Sequence, residues 1–125
     1  MVEYVRRNAF AQAQARRDSE EVCTAASNCL KPSVLTIGFA RRFTAYKRGD
    51  FLLRDLGWLD RIINDPKRPV QIIIAGKAHP RDEPAKKILQ QVFRLTRDRR
   101  FLGRIVFLEN YDINVSRHLV QGVDL

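Results

Sequence analysis

The chain has 125 residues, of which 45% are hydrophobic and 30% charged; this is the composition of one globular domain rather than of a disordered segment. Its formal net charge of +9 at pH 7 favours an anionic partner, such as a phosphate compound, an anionic lipid or nucleic acid, without choosing among them. No apolar run approaches the roughly 20 residues that span a bilayer, and the N-terminus lacks the apolar segment of a secretory signal. We therefore expect a cytoplasmic protein with no membrane partner.

The first segment predicts helices. Residues 2–29 contain neither glycine nor proline and are rich in alanine, glutamine, arginine and glutamate, which favour helix. Asp18 with Glu21 three positions later resembles a capping box, which predicts a break near Arg17 and a second helix that begins there. Two cysteines in this segment lack the spacing of a metal site, so we expect reduced thiols and no metal.

The remainder alternates apolar runs with amphipathic segments. Continuous apolar runs predict three strands buried on both faces, at residues 33–40, 69–76 and 103–110. Helical periodicity predicts three helices between and after them, with the N-caps Asp50, Asp82 and Asn114. The helix that follows Asp50 contains Trp58, whose side chain we expect to serve packing rather than recognition.

This alternation predicts a parallel α/β sheet of three strands with flanking helices, half of a doubly wound Rossmann-like sheet. The predicted organisation is a helical lead-in over residues 1–31 and a β-α-β-α-β-α half-domain over residues 32–125. Ligands of such sheets bind at the carboxyl ends of the strands, so the loops that follow the three strands are the candidate site.

The loop after the first strand is rich in cations. Gly38 would let the backbone approach a ligand closely, while Arg41, Arg42 and Lys47 offer donors suited to phosphate. The spacing matches neither a dinucleotide-binding glycine motif nor a P-loop. The residues alone leave three alternatives open: a phosphate site, a solvated charged turn, and a nucleic-acid patch.

The other two loops are also polar. Lys77 and His79 follow the second strand, where His79 is a candidate base or phosphate donor, or simply an exposed loop residue. Residues 109–112, "ENYD", follow the third strand and either position a hydroxylated ligand or only form a turn and a cap. We expect His118 to be a structural helix residue.

Three stretches of the chain resemble one enzyme family. They are "LTIGFARRFTAYKR", "QIIIAGKAHPRDEPAKK" and "RIVFLENYDINVSRHLVQGVD". In this order and spacing they resemble the α-glucan (glycogen, starch, maltodextrin) phosphorylases, and most closely the shorter bacterial and archaeal branch. The resemblance implies a two-domain GT-B fold and a pyridoxal-phosphate-dependent glycosyltransferase, which cleaves α-1,4-glucan with phosphate to give glucose 1-phosphate.

The resemblance also implies roles for individual residues. Arg42 and Lys47 would hold the substrate phosphate, Arg41 would lie near the cofactor phosphate, and Tyr111 would face the cofactor pocket. Gly38, Lys77 and His79, which lie in the first two candidate loops, would be candidates to line the same cleft. Animal members have an arginine cofactor contact where this chain has Asp112, so that contact is not expected here.

The family's cofactor lysine follows the stretch that matches "QGVDL", and its N-terminal domain precedes the matched region. The resemblance therefore implies a segment of the cofactor-binding C-terminal domain that is inactive alone and binds no covalent cofactor. The alternatives are a small phosphate-binding or partner-binding module and, as the weakest of the three, a nonspecific nucleic-acid binder.

Three kinds of partner are expected. They are phosphate or a sugar phosphate, a complementary phosphorylase segment, and a second copy of this chain. A sheet that ends at its third strand leaves an edge and an apolar face uncovered, which favours a homo-oligomer formed through the sheet edge or by exchange of the N-terminal helix.

Overall fold

The computed structural model describes residues 1–44 and 50–125. A 3₁₀ turn, Phe51–Leu53, precedes the third helix. The helices and strands follow one another as α1 (Val2–Ala15), α2 (Glu20–Ser27), β1 (Leu35–Phe43), α3 (Leu56–Ile63), β2 (Val70–Ala78), α4 (Glu83–Arg97), β3 (Ile105–Leu108) and α5 (Ile113–Gly122). No helix in the described ranges is long and apolar enough to cross a membrane.

The three strands form one parallel sheet in the order β1-β2-β3, with β2 in the centre. The β1–β2 ladder runs from Leu35 opposite Val70 to Phe43 opposite Ala78. The shorter β2–β3 ladder begins with Ile72 opposite Ile105. This confirms the predicted α/β class and the half Rossmann-like sheet.

Each face of the sheet is covered by its own pair of helices. On one face, α1 and α5 pack on alternate residues of β2 and β3; this first core contains Val5, Ala9, Ile73, Ala75, Val106, Leu108, Val115 and Leu119. On the other face, α3 and α4 pack on the residues between them; this second core contains Phe43, Leu59, Ile63, Ile72, Ile74, Val92, Leu95 and Ile105. The expectation of an uncovered apolar face is therefore wrong, because α1 and α5 occupy that face.

The outer edge of β1 is paired only at its beginning. The Leu125 N–H donates to the Thr36 carbonyl at 3.3 Å, and the Gly38 N–H donates to the Leu125 carbonyl at 2.8 Å. This is the bonding pattern of a parallel bridge opposite Ile37. From Ala40 onward, no residue in the described ranges pairs with this edge.

The N-cap of α4 is predicted correctly and that of α2 is not. The Asp82 side chain caps α4 as expected. The cap of α2 is Ser19 rather than Asp18, because the Asp18 carboxylate is engaged elsewhere. It accepts from Arg16 at 3.1 Å and from Arg97 at 2.6 Å, and so ties the α1–α2 connection to α4.

Helix α3 begins later than predicted, and its tryptophan lies outside the core. Its N-cap is Asp55, which accepts from the Trp58 N–H, whereas Asp50 makes no side-chain cap. The helix buries Leu59 and Ile63, and the neighbouring Trp58 points away from them with 52% of its surface exposed. Of the packing role expected for Trp58, the structure shows only partial burial outside both cores.

Both cysteines are free thiols, as expected. Cys29 lies just after α2 and is 1% exposed, whereas Cys23 is half-buried. Burial raises the pKa of the Cys29 thiol from 9.0 to about 11, since the thiolate loses its hydration. Stability from the neutral buried thiol is therefore present below about pH 9 and lost as the pH rises towards 11.

Candidate anion-binding site at the carboxyl edge of the sheet

Strand β1 extends three residues beyond its predicted end at residue 40 and includes Arg41 and Arg42. Arg41 and Arg42 are strand residues rather than loop residues, opposite Gly76 and Lys77 of β2. The prediction ended the strand at Ala40 because polarity begins there. The backbone ladder nevertheless continues, since a parallel ladder at the end of a strand needs no apolar side chains.

The register places two cations side by side on the same face. Neighbouring strands of a sheet lie about 4.8 Å apart, and side chains of register partners point to the same side. Ala40 and Ala75 face the first core, so Arg42 and Lys77, two residues further along each strand, point to that side as well. Both side chains are exposed.

No carboxylate in the described ranges forms an ion pair with this pair of cations or with Arg41. Like charges that face each other across strands repel, so the arrangement of Arg42 and Lys77 is favourable when an anion lies between them. A guanidinium offers a planar two-pronged donor and an ammonium a compact charge, and both suit a phosphate oxygen.

Arg41 points to the opposite face, where Gly76 makes room for a buried ring. Phe43 is 2% exposed, and its ring lies directly against Gly76. A Cβ at Gly76 would come within 2.5 Å of the Phe43 ring and 2.6 Å of the Arg41 carbonyl oxygen. The absence of a side chain at Gly76 thus fixes the end of β1 and the backbone of both arginines.

The carboxyl end of β1 is also where the helical connections separate to opposite faces. Helices α3 and α4 pack on one face, while α5 packs on the other and returns the chain to the outer edge of β1. Ligands of open α/β sheets bind at such a switch point. Lys47 and Arg48, which follow β1 in the sequence, lie outside the described residues.

Gly38 does not lie at this edge. It is in the middle of β1, where the Val123 side chain occupies the space of a Cβ at 2.9 Å. Its N–H is bonded to Leu125. The expectation that Gly38 admits a ligand is therefore wrong, because the space beside it is filled by the chain's own C-terminal residues.

His79 is exposed at the end of β2, beyond Lys77. Its Nδ1 accepts from the Arg81 N–H at 3.1 Å, which leaves the Nε2–H of the neutral ring as a donor. The Nε2 of His79 is therefore the ring atom available as a donor to an anion at this edge.

The residues after β3 mostly serve the fold. Glu109 forms an ion pair with Arg16 of α1. Asn110 adopts a left-handed conformation with φ of 54°. The Asp112 carboxylate caps α5 by accepting from the N–H of Asn114 at 2.9 Å, so the predicted cap at Asn114 is wrong. The sequence left two alternatives for "ENYD", a site that positions a ligand or a turn with a cap. The second describes Glu109, Asn110 and Asp112.

Tyr111 is half-buried against the first core. Its hydroxyl donates to the Ser116 Oγ at 3.4 Å, a long bond within the beginning of α5. The ring of Tyr111 therefore packs against the first core, and its hydroxyl lies at the carboxyl edge. Its role at a cofactor remains a prediction.

A half Rossmann-like parallel sheet with exposed basic side chains at the carboxyl end of β1 defines an α/β domain with a candidate anion-binding edge. No protein-family model matches the chain. It is 42% identical over 125 residues to the glycogen phosphorylase of Aquifex aeolicus, and this match covers 100% of the chain and 18% of that protein. It is also 48% identical over 93 residues to the maltodextrin phosphorylase of Thermococcus litoralis, covering 74% of this chain and 11% of that protein.

The glycogen phosphorylase of Mycobacterium bovis gives a similar match, with 48% identity over 94 residues and coverage of 75% and 11%. The chain belongs to the α-glucan phosphorylase family and corresponds to one segment of it. It spans less than a fifth of the length of these relatives.

Proposed function

We propose that this chain provides the phosphate-binding edge of an α-glucan phosphorylase active site. Arg42 and Lys47 hold the phosphate that cleaves the α-1,4 bond, while Arg41 and Tyr111 lie beside the cofactor, pyridoxal phosphate. Lys77 supplies an additional donor to the substrate phosphate. The main support is the β1–β2 register, which sets Lys77 beside Arg42 on one face without a neutralising acid in the described ranges.

The donors at this edge fit the phosphate end of the proposed cofactor. Arg41 and Arg42 leave opposite faces at the end of β1, and their long side chains can extend beyond the strand end to two neighbouring anions, the cofactor phosphate and the substrate phosphate. When bound, the cofactor supplies a phosphate group for proton transfer. The chain's own residues bind and orient the two anions.

We expect the chain alone not to catalyse phosphorolysis. In the family, the cofactor lysine and the opposite wall of the cleft lie on segments that do not match residues 1–125. Release of glucose 1-phosphate from maltoheptaose and phosphate by the purified chain would contradict this expectation.

Phosphate affinity tests the proposed site. We expect Arg42→Ala to weaken the binding of inorganic phosphate about tenfold, because a hydrogen bond to a charged group contributes about 1.5–3 kcal/mol. Isothermal titration calorimetry at low ionic strength measures this. The control is Arg99→Ala, which removes the same charge from an exposed loop between α4 and β3.

Equal weakening in both variants would mean that phosphate responds only to net charge, and would contradict the site. Loss with Arg42→Ala alone supports it. Binding of nucleic acid of any sequence, with an affinity that falls steeply as the salt concentration rises, would instead favour the nonspecific nucleic-acid binder.

A partner-binding module is the second candidate, supported by the outer edge of β1. Beyond the bridge to Leu125, this edge presents the N–H and C=O groups of Ala40 and Arg42 without partners in the described ranges. We propose that a strand from a complementary phosphorylase segment, or from a second copy of the chain, pairs there. A strictly monomeric chain in light scattering would contradict self-association through this edge.

A further inference from the structure

A cavity of about 260 Å³ lies at the opposite, amino edge of the sheet. Its walls come from the end of α2 and from three chain segments, residues 28–34, 69–71 and 102–104. Six residue steps along β2, from Gln71 to Lys77, separate it from the carboxyl edge by about 20 Å, at about 3.3 Å per residue. It is therefore distinct from the anion-binding edge described above.

The walls of this amino-edge cavity are held by buried hydrogen bonds. Gln71 is 3% exposed, and its side chain both accepts from the Lys31 N–H and donates to the Lys31 carbonyl, each at 2.8 Å. Leu30 adopts a left-handed conformation with φ of 61°, which is unusual for a bulky residue. It is fixed by bonds to Gly103 at 3.0 Å and from Arg6 at 2.8 Å.

The lining combines an apolar body with two cations. Leu30, Val34 and Leu102 supply apolar surface, while Lys31 and Arg104 are exposed at the mouth. Arg104 donates through Nη1 to the Ile63 carbonyl at 3.2 Å, which holds the guanidinium in place. Neither cation forms an ion pair with a carboxylate in the described ranges.

We propose that this cavity binds a small organic anion: an apolar group enters between Leu30, Val34 and Leu102, and its carboxylate or phosphate lies between Lys31 and Arg104. Preformed pockets of apolar lining with a few convergent polar groups are typical of small-molecule sites. The volume is below the roughly 300–1,000 Å³ of sites for drug-sized ligands, so the ligand is smaller.

A nuclear magnetic resonance titration with 3-phenylpropanoate tests the proposal. We expect saturable shifts of backbone amides confined to residues 28–34, 69–71 and 102–104. Lys31→Gln and Arg104→Gln should each weaken binding about two- to fivefold, as exposed ion pairs do. Arg117→Gln, an exposed arginine of α5, is the matched control and should bind like the parent.

Comparison with the neutral analogue 3-phenylpropanamide measures how much the charge of the ligand contributes to its affinity. Comparison with phenyl phosphate shows whether a phosphate or a carboxylate binds more tightly. Weaker binding of the amide supports the proposal. Equal binding of acid and amide, unchanged binding in both glutamine variants, or no saturable shift in these segments would overturn it. Since inorganic phosphate has no apolar group, shifts that it induces at the carboxyl edge report on the other site alone.

Discussion

Gly76→Ala is expected to lower the free energy of unfolding by about 3 kcal/mol, the upper end of the usual cost of overpacking a core. The new Cβ would lie 2.3 and 2.5 Å from two atoms of the Phe43 ring and 2.6 Å from the Arg41 carbonyl oxygen. Phe43 is buried and the Arg41 carbonyl is backbone, so neither can move without distorting the β1–β2 ladder. Urea unfolding followed by circular dichroism measures the change.

The control for this substitution is Gly57→Ala in α3. There the nearest atom to the new Cβ is Asp55 Oδ1 at 3.6 Å, an ordinary contact. Alanine should stabilise this helix by about 0.5–1 kcal/mol. Equal unfolding midpoints for Gly76→Ala and the parent would show that the end of β1 is not packed as described. We also expect Gly76→Ala to weaken phosphate binding, because Arg42 follows the displaced backbone.

Gln71→Leu is expected to destabilise the chain by about 3 kcal/mol, since each buried polar group left without a partner costs about 1–3 kcal/mol. The amide of Gln71 donates to Lys31, to Val34 and to Thr36 Oγ1, and its oxygen accepts from the Lys31 N–H. Leucine has a similar size and makes none of these bonds. The substitution should therefore release the connection between α2 and β1.

Hydrogen exchange of the Lys31 amide provides a local measurement of the same effect. It should accelerate in Gln71→Leu, because its acceptor is removed. Gln91→Leu, on the exposed surface of α4, is the matched control and should stay within about 0.5 kcal/mol of the parent. Unfolding of Gln71→Leu at the parent's midpoint would contradict the account of this connection.

Much of the fold could be predicted because the sequence separates buried strands from amphipathic helices clearly. The ends of the elements were less predictable, since capping depends on where a side chain is otherwise engaged. Asp18 resembles a cap, yet it pairs with Arg97, 79 positions away in the sequence, and leaves Ser19 to cap α2. No local pattern indicates such a contact.

The candidate site could be predicted in composition but not in arrangement. The strands are apolar on both faces, so their pattern does not specify the register, and the position of Lys77 beside Arg42 emerges only from the ladder. For Gly38, the sequence predicted a role in the site that its position in the fold does not allow. A glycine near cations suggested access for a ligand, whereas Val123 fills the adjacent space.

The central claim is that the end of β1 holds phosphate. Its most direct test is a titration of the isotopically labelled chain with inorganic phosphate, followed by backbone amide shifts. Saturable shifts of Arg41, Arg42 and Lys77 are the predicted result; the shifts of Arg41 and Lys77 should need about tenfold more phosphate in Arg42→Ala and should be unchanged in Arg99→Ala. Shifts spread evenly over all exposed basic residues, or no shift at these three, would contradict it.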